Sequence, residues 1–268
     1  MLLILVTAAL SRNVNRLSTW YSFCMSWIIS TFSYSLLSLT GQQLTEPNFG
    51  LCFTQALLIY SVPPTTSATT LALLLHTLLT FSSSAGQTQR KLSLYTSCML
   101  VIGPYLLLLT IFIGVALYVT RNPLYLHKAD QGTYCNLRNP HDEWLRISMI
   151  VVAVISVGII LVQVQLVAWL YHNFRSLRRD SAAFGHILRG VLFTFTGSVT
   201  FVTALVLAIS DDHNLTFDLI IAFFPVLALF IFGSQKDLLQ VWTSWRLPHR
   251  ENIQNLSSGK NMSERVTN

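Results

Sequence analysis

Charge is the scarcest thing in this sequence. Asp, Glu, Lys and Arg make up 10% of its 268 residues, against about 25% in an ordinary soluble domain. A water-facing surface cannot be built from so little. The charges that exist fall in short islands between long apolar runs, so the chain reads as a polytopic membrane protein. Its formal net charge of +6 sits in loop clusters rather than along one face, which argues against nucleic acid as a partner. Catalytic signatures are missing too. There is no nucleophile elbow, no phosphate loop and no His/Asp/Glu group at metal-ligand spacing, so neither an enzyme nor a cofactor nor a metal is expected. The apolar runs hold no Lys, which leaves a retinal Schiff base without an attachment point. They also lack the acid–base pair that an ion-coupled transporter keeps in mid-membrane.

Apolar runs of about 20 residues read as membrane helices. Six complete spans are expected, over Trp20–Leu39, Leu51–Phe81, Tyr95–Val119, Trp144–Tyr171, Ile187–Ile209 and Phe217–Gly233. Met1–Leu10 is apolar but covers only about 15 Å as a helix, half of a hydrocarbon core roughly 30 Å thick. It lacks a basic leader and a small-residue cleavage site, so a signal peptide is disfavoured. It reads as the inner half of a helix whose outer half is absent, as a truncated product or a misplaced start would leave it. The expected fold is all-α, a seven-transmembrane helix bundle whose first helix is truncated. The bundle occupies 1–247, with an amphipathic helix at about 236–245 and a disordered cytoplasmic tail over 248–268.

Orientation follows from the basic residues. Arg12, Arg16, Arg90, Lys91, Arg175, Arg178, Arg179, Arg189 and the five from Lys236 onward bring 13 of the 17 Lys and Arg to one side. The other side holds Arg121, Lys128, Arg138 and Arg146, and most of the acids. The first side is cytoplasmic, the carboxyl terminus lies there, and the plasma membrane is the expected location. Cys52 and Cys135 both fall on the outer side, where disulfides persist. A bridge between them would pin the loop from Thr120 to Glu143 over the bundle mouth; the alternatives are two free thiols or a bridge to another chain. Cys24 and Cys98 fall inside spans, where a thiol packs as a small apolar group. Asn214-Leu215-Thr216 is an acceptor sequon too close to the following span for glycosylation to be expected.

With the stub counted as a helix, the outer Cys52–Cys135 pair, the short inner loops and the amphipathic stretch Lys236–Trp245 resemble the G-protein-coupled receptor superfamily. Leu51-Cys52-Phe53-Thr54-Gln55-Ala56, Pro63-Pro64 and Phe232-Gly233-Ser234-Gln235-Lys236-Asp237 are similar to stretches in uncharacterised basidiomycete fungal seven-helix proteins. The resemblance implies a receptor that senses an extracellular ligand and signals to a heterotrimeric G protein. The rhodopsin-like switches are absent. His76-Thr77-Leu78 stands where an Asp-Arg-Tyr triplet would fall, and Phe224-Pro225-Val226-Leu227-Ala228 keeps only the proline of Asn-Pro-x-x-Tyr. The competing readings are a small multi-helix transporter or channel, and a non-functional receptor fragment.

Several residues stand out as carriers of function. Gln55 and Tyr60 lie within three turns of Cys52, on neighbouring faces, and are candidate ligand contacts; helix–helix packing is the plainer alternative for them and for the other intramembrane hydroxyls. Asp218 is a candidate counter-ion or a helix cap. Pro63 and Pro64 remove two backbone donors from mid-helix and are hinge candidates, with Thr65, Thr66 and Ser67 placed to satisfy the freed carbonyls. Pro225 is a weaker hinge candidate. His76, Arg175, Arg178 and Arg179 are candidates for cytoplasmic coupling, although a packed, hydrogen-bonded role suits His76 and attraction to lipid headgroups suits the arginines. Of Gln163 and Gln165, two apart on one helix, at most one can face the interior.

Overall fold

A computed structural model describes residues 1–10, 16–42, 45–84, 93–128, 134–137 and 143–177, with a few isolated positions beyond them. These residues are predominantly helical. The elements are α1 (Leu2–Leu10), α2 (Ser18–Leu39), α3 (Phe49–Ser84), α4 (Leu94–Arg121), a short 3-10 turn (Pro123–Tyr125), strands β1 (Leu126–Lys128) and β2 (Cys135–Leu137), and α5 (Glu143–Leu177). Four of the helices, α2 to α5, are long and apolar enough to cross a membrane. They match four of the six expected spans to within a few residues. The other two, Ile187–Ile209 and Phe217–Gly233, lie outside the described residues apart from isolated positions. So do the amphipathic segment, the tail, Asp218, Pro225, Arg178 and Arg179.

The ends of α2 show how local chemistry sets the boundaries. Leu17 is extended, and the helix starts at Ser18. At the far end Gly41 takes φ +70, the left-handed conformation that glycine reaches without a Cβ penalty. Its N–H donates to the carbonyl of Ser38, and the N–H of Gln42 donates to that of Leu37. This pair of bonds satisfies carbonyls that would otherwise be left open at the helix end.

Helix α3 is the centre of the assembly, packed along its length against α2, α4 and α5. Its buried side chains are largely small or hydroxylated, among them Ala56, Ser61, Thr65, Thr69 and Thr70. The facing side of α2 repeats the pattern with Thr19, Ser22, Ser26, Ser30 and Ser33. In lipid there is no hydrophobic gain from bringing two apolar helices together, so close approach through small residues and interhelical hydrogen bonds must supply the attraction. Three such bonds run down this antiparallel seam. Gln55 Nε2 donates to the Ser33 carbonyl at 3.1 Å, Ser26 Oγ pairs with Thr69 Oγ1 at 2.8 Å, and Thr19 Oγ1 pairs with His76 Nδ1 at 3.0 Å. Tyr105 on α4 donates its hydroxyl to the Ser22 carbonyl at 3.0 Å, bringing α4 against the same helix.

The outward faces of α4 and α5 carry the opposite chemistry. Tyr95, Met99, Ile102, Leu106, Leu109, Ile113 and Leu117 are exposed on α4 at three- and four-residue steps, and Ile147, Ile150, Val154, Val157, Leu161 and Val164 on α5. Such stripes are insoluble in water and suit acyl chains. Helix α1 packs Ile4 and Ala8 on Trp20, Phe23 and Cys24, so it lies along the first half of α2. Near the other end of α4, Gly114 makes room for Trp144 of α5: a Cβ there would run into the indole ring.

Candidate functional site

The functional candidates gather where the loop between α4 and α5 folds back on α3. That loop contains the hairpin β1–β2, antiparallel with Leu126 opposite Leu137 and Lys128 opposite Cys135. In β2 the side chains of Cys135 and Leu137 are buried while Asn136 is less so, as the two-residue alternation of a strand requires. Cys135 packs with Leu37 of α2 and Cys52 of α3. Leu137 packs with Leu57 and Tyr60 of α3 and with Ile111, Val115 and Val119 of α4. The strand is thus wedged between three helices at one end of the bundle.

Three attachments fix it to α3. Cys52 and Cys135 form a disulfide, with their Cα atoms 5.3 Å apart, which settles the expected pairing against the free-thiol alternative. One turn along, Gln55 Oε1 accepts the backbone N–H of Cys135 at 3.1 Å. Further along, the Tyr60 hydroxyl accepts the backbone N–H of Leu137 at 3.2 Å. Among the described residues strand β2 pairs only with β1, so its other edge would leave these N–H groups open. Gln55 and Tyr60 close that edge with side chains. Lys128 Nζ adds a bond to the Thr45 carbonyl at 3.0 Å, joining the hairpin to the α2–α3 connection.

Gln55 is fully buried and uses both ends of its amide, one on Ser33 and one on Cys135. Tyr60 is likewise buried. The two side chains expected at a ligand pocket are therefore the ones that seat the hairpin. A sequence signal for this existed: once Cys52 is bridged to Cys135, a polar residue three positions on lies one helical turn away, within reach of the same strand.

The double proline lies just beyond. Helix α3 continues through Pro63 and Pro64 without interruption. Pro64 has no N–H to give to the carbonyl four residues back, which is that of Tyr60. The Ser148 hydroxyl of α5 donates to that carbonyl at 3.0 Å, and Ser148 is itself buried. This corrects the expectation that Thr65, Thr66 and Ser67 would serve the freed carbonyls. Thr65 donates to the Ser61 carbonyl, while Thr66 and Ser67 both donate to that of Pro63. Ser148 escaped notice in the sequence because its role depends on which helix packs beside Tyr60.

At the opposite end of α3, His76 is buried and bonded to Thr19, which is the packed role. Arg175 falls in the last turns of α5. Gln163 is buried and donates to the Val191 carbonyl at 3.3 Å, whereas Gln165 is exposed, so only the first faces inward. Among the described residues no group of three or more His, Cys, Asp or Glu could hold a metal ion.

No protein-family model matches this chain, and no curated protein matches it.

Proposed function

We propose that this membrane protein is a receptor: a seven-helix bundle, with α1 in the place of the first helix, that senses an extracellular ligand and signals to a cytoplasmic G protein at the plasma membrane. The last two spans would be Ile187–Ile209 and Phe217–Gly233, and the carboxyl terminus would lie in the cytosol. One observation carries the reading. The hairpin at one end of the bundle is attached to the central helix through Cys52, Gln55 and Tyr60, and that helix has a proline pair immediately below. A molecule that displaced the hairpin would pull on the part of α3 nearest the proline pair. The far end of α3, at His76, sits beside the segment expected to face the cytosol.

The test is nucleotide exchange. The chain is reconstituted in lipid nanodiscs with a heterotrimeric G protein, and GTPγS uptake is followed while a library of peptides and small molecules is screened. The receptor reading expects uptake above that of empty discs for some library members, and an altered response when Pro63 and Pro64 are both replaced by Ala. Uptake equal to that of empty discs throughout, together with solute flux in proteoliposomes, would select the transporter or channel.

A further inference from the structure

We propose that the turn Pro123–Tyr125, between α4 and the hairpin, is a phospholipid-binding surface, with Arg121 against the lipid phosphate and Leu124 among the upper acyl chains. Helix α4 has 28 residues, while about 20 suffice to cross the hydrocarbon core. With the helix centred in the bilayer, about four residues at each end reach the headgroup layer, and at this end they are Tyr118 to Arg121. The helix stops because Asn122 leaves the helical region ahead of Pro123, as a residue before proline tends to. The chain does not then run out into water. The Tyr125 ring stacks on that of Tyr118, with centroids 6.4 Å apart, and Leu126 packs in the cluster that holds Val119 and Leu137. The turn is thus folded back to the depth of the last helical turn.

Leu124 is 85% exposed, more than any other large apolar side chain among the described residues. A leucine held at that depth meets lipid, and it extends the exposed stripe of α4 that ends at Leu117. Around it the chemistry changes as it does across a headgroup layer. Tyr118, Tyr125 and Trp144 form an aromatic group, with Trp144 edge-on to Tyr118 at 6.5 Å. Such amphipathic rings are enriched where acyl chains meet water. Arg121 is exposed and supplies a permanent positive charge of the kind that pairs with phosphate. An arginine in the last turn is also favoured by the helix dipole, but that role leaves the exposed leucine three residues on unexplained. A phospholipid accounts for both. The hairpin begins at Leu126, so α3 holds it on one side and the leaflet on the other. The inference rests on α4 crossing a membrane and not on the receptor reading.

Depth is read from a spin label at Leu124→Cys in a Cys98→Ser background, in phosphatidylcholine nanodiscs; Cys24 is buried and stays unlabelled. Oxygen collides most with labels in lipid, and a water-soluble nickel chelate with labels in water. Leu109→Cys, on the exposed stripe of α4, and His127→Cys, on the exposed part of the hairpin, give the two reference values. The label at Leu124 should be reached by oxygen and shielded from nickel relative to the label at His127. Arg121→Gln should shift it toward the nickel-accessible value, and Arg121→Lys, which keeps a positive charge, should leave it close to the parent. Protection of Cys52 and Cys135 from thiol reagents before reduction confirms that each variant is folded. Nickel access equal to that at His127 would overturn the inference, as would exclusion of both reagents, which would mean that protein covers Leu124. An unchanged depth in Arg121→Gln would overturn the contact with phosphate.

Discussion

The amide of Gln55 accepts the backbone N–H of Cys135, 80 residues away in sequence, at 3.1 Å, one helical turn from the disulfide that joins Cys135 to Cys52. The covalent bond and the hydrogen bond act on the same strand residue. The disulfide limits how far β2 can stray, and the amide fixes how it sits. A bridge closing a loop of 83 residues is worth at most about 4–5 kcal/mol in the chain-entropy picture. Membrane helices that stay inserted after unfolding lower that figure, so the hydrogen bonds carry a real share of the placement.

Replacing Gln55 by Leu should therefore loosen the hairpin with the disulfide intact. The Cys135 N–H loses its partner, at about 1–3 kcal/mol for a buried group left unsatisfied, while the Ser33 carbonyl keeps its place in the hydrogen-bond ladder of α2. Amide hydrogen exchange at Cys135 should accelerate by roughly fivefold or more. Exchange no faster than in the parent chain would show that the strand is held without Gln55.

Thiol counting separates the four cysteines. Cys98 is exposed and Cys24 buried, so a membrane-permeant maleimide should modify Cys98 in the folded protein and Cys24 only after denaturation. Cys52 and Cys135 should react only after reduction. A third reactive thiol before reduction would contradict the bridge.

Gly114 of α4 gives room to Trp144 at the start of α5. A methyl group there meets the Trp144 ring, and overpacking of this kind costs about 1–3 kcal/mol. Gly114→Ala should lower the Tm in detergent, and adding Trp144→Leu should recover much of the loss. Equal Tm values for parent and Gly114→Ala would place the indole elsewhere.

The seam between α2 and α3 should couple weakly at each rung. A double-mutant cycle on Ser26→Ala and Thr69→Val should give an interaction energy near 0.6 kcal/mol, about the average for such bonds in membranes. An energy indistinguishable from zero would mean that the two hydroxyls do not meet.

The four described spans were legible because each is a run of apolar residues long enough to cross lipid, and hydropathy needs no tertiary information. Their ends were less so: α5 continues past Tyr171 to Leu177, since a helix keeps its internal hydrogen bonds after it leaves the apolar layer. Strands of three residues, Leu-His-Lys and Cys-Asn-Leu, are too short for alternation to register. Gln55 and Tyr60 stood out as polar residues near Cys52, but that their partners are strand N–H groups follows only from where the hairpin lands. Ser148 was invisible for the same reason. That at most one of Gln163 and Gln165 faces inward was readable from their spacing on a helix, but not which one, since that depends on the neighbouring helix.

The most direct test of the account asks whether the hairpin and the start of α4 lie on opposite faces of the membrane. In intact cells expressing a Cys98→Ser background, His127→Cys on the exposed part of the hairpin and Ser93→Cys before α4 are treated with a membrane-impermeant maleimide. The account predicts labelling of the first from outside and of the second only after permeabilisation. Labelling of both from outside, or of Ser93→Cys alone, would contradict it.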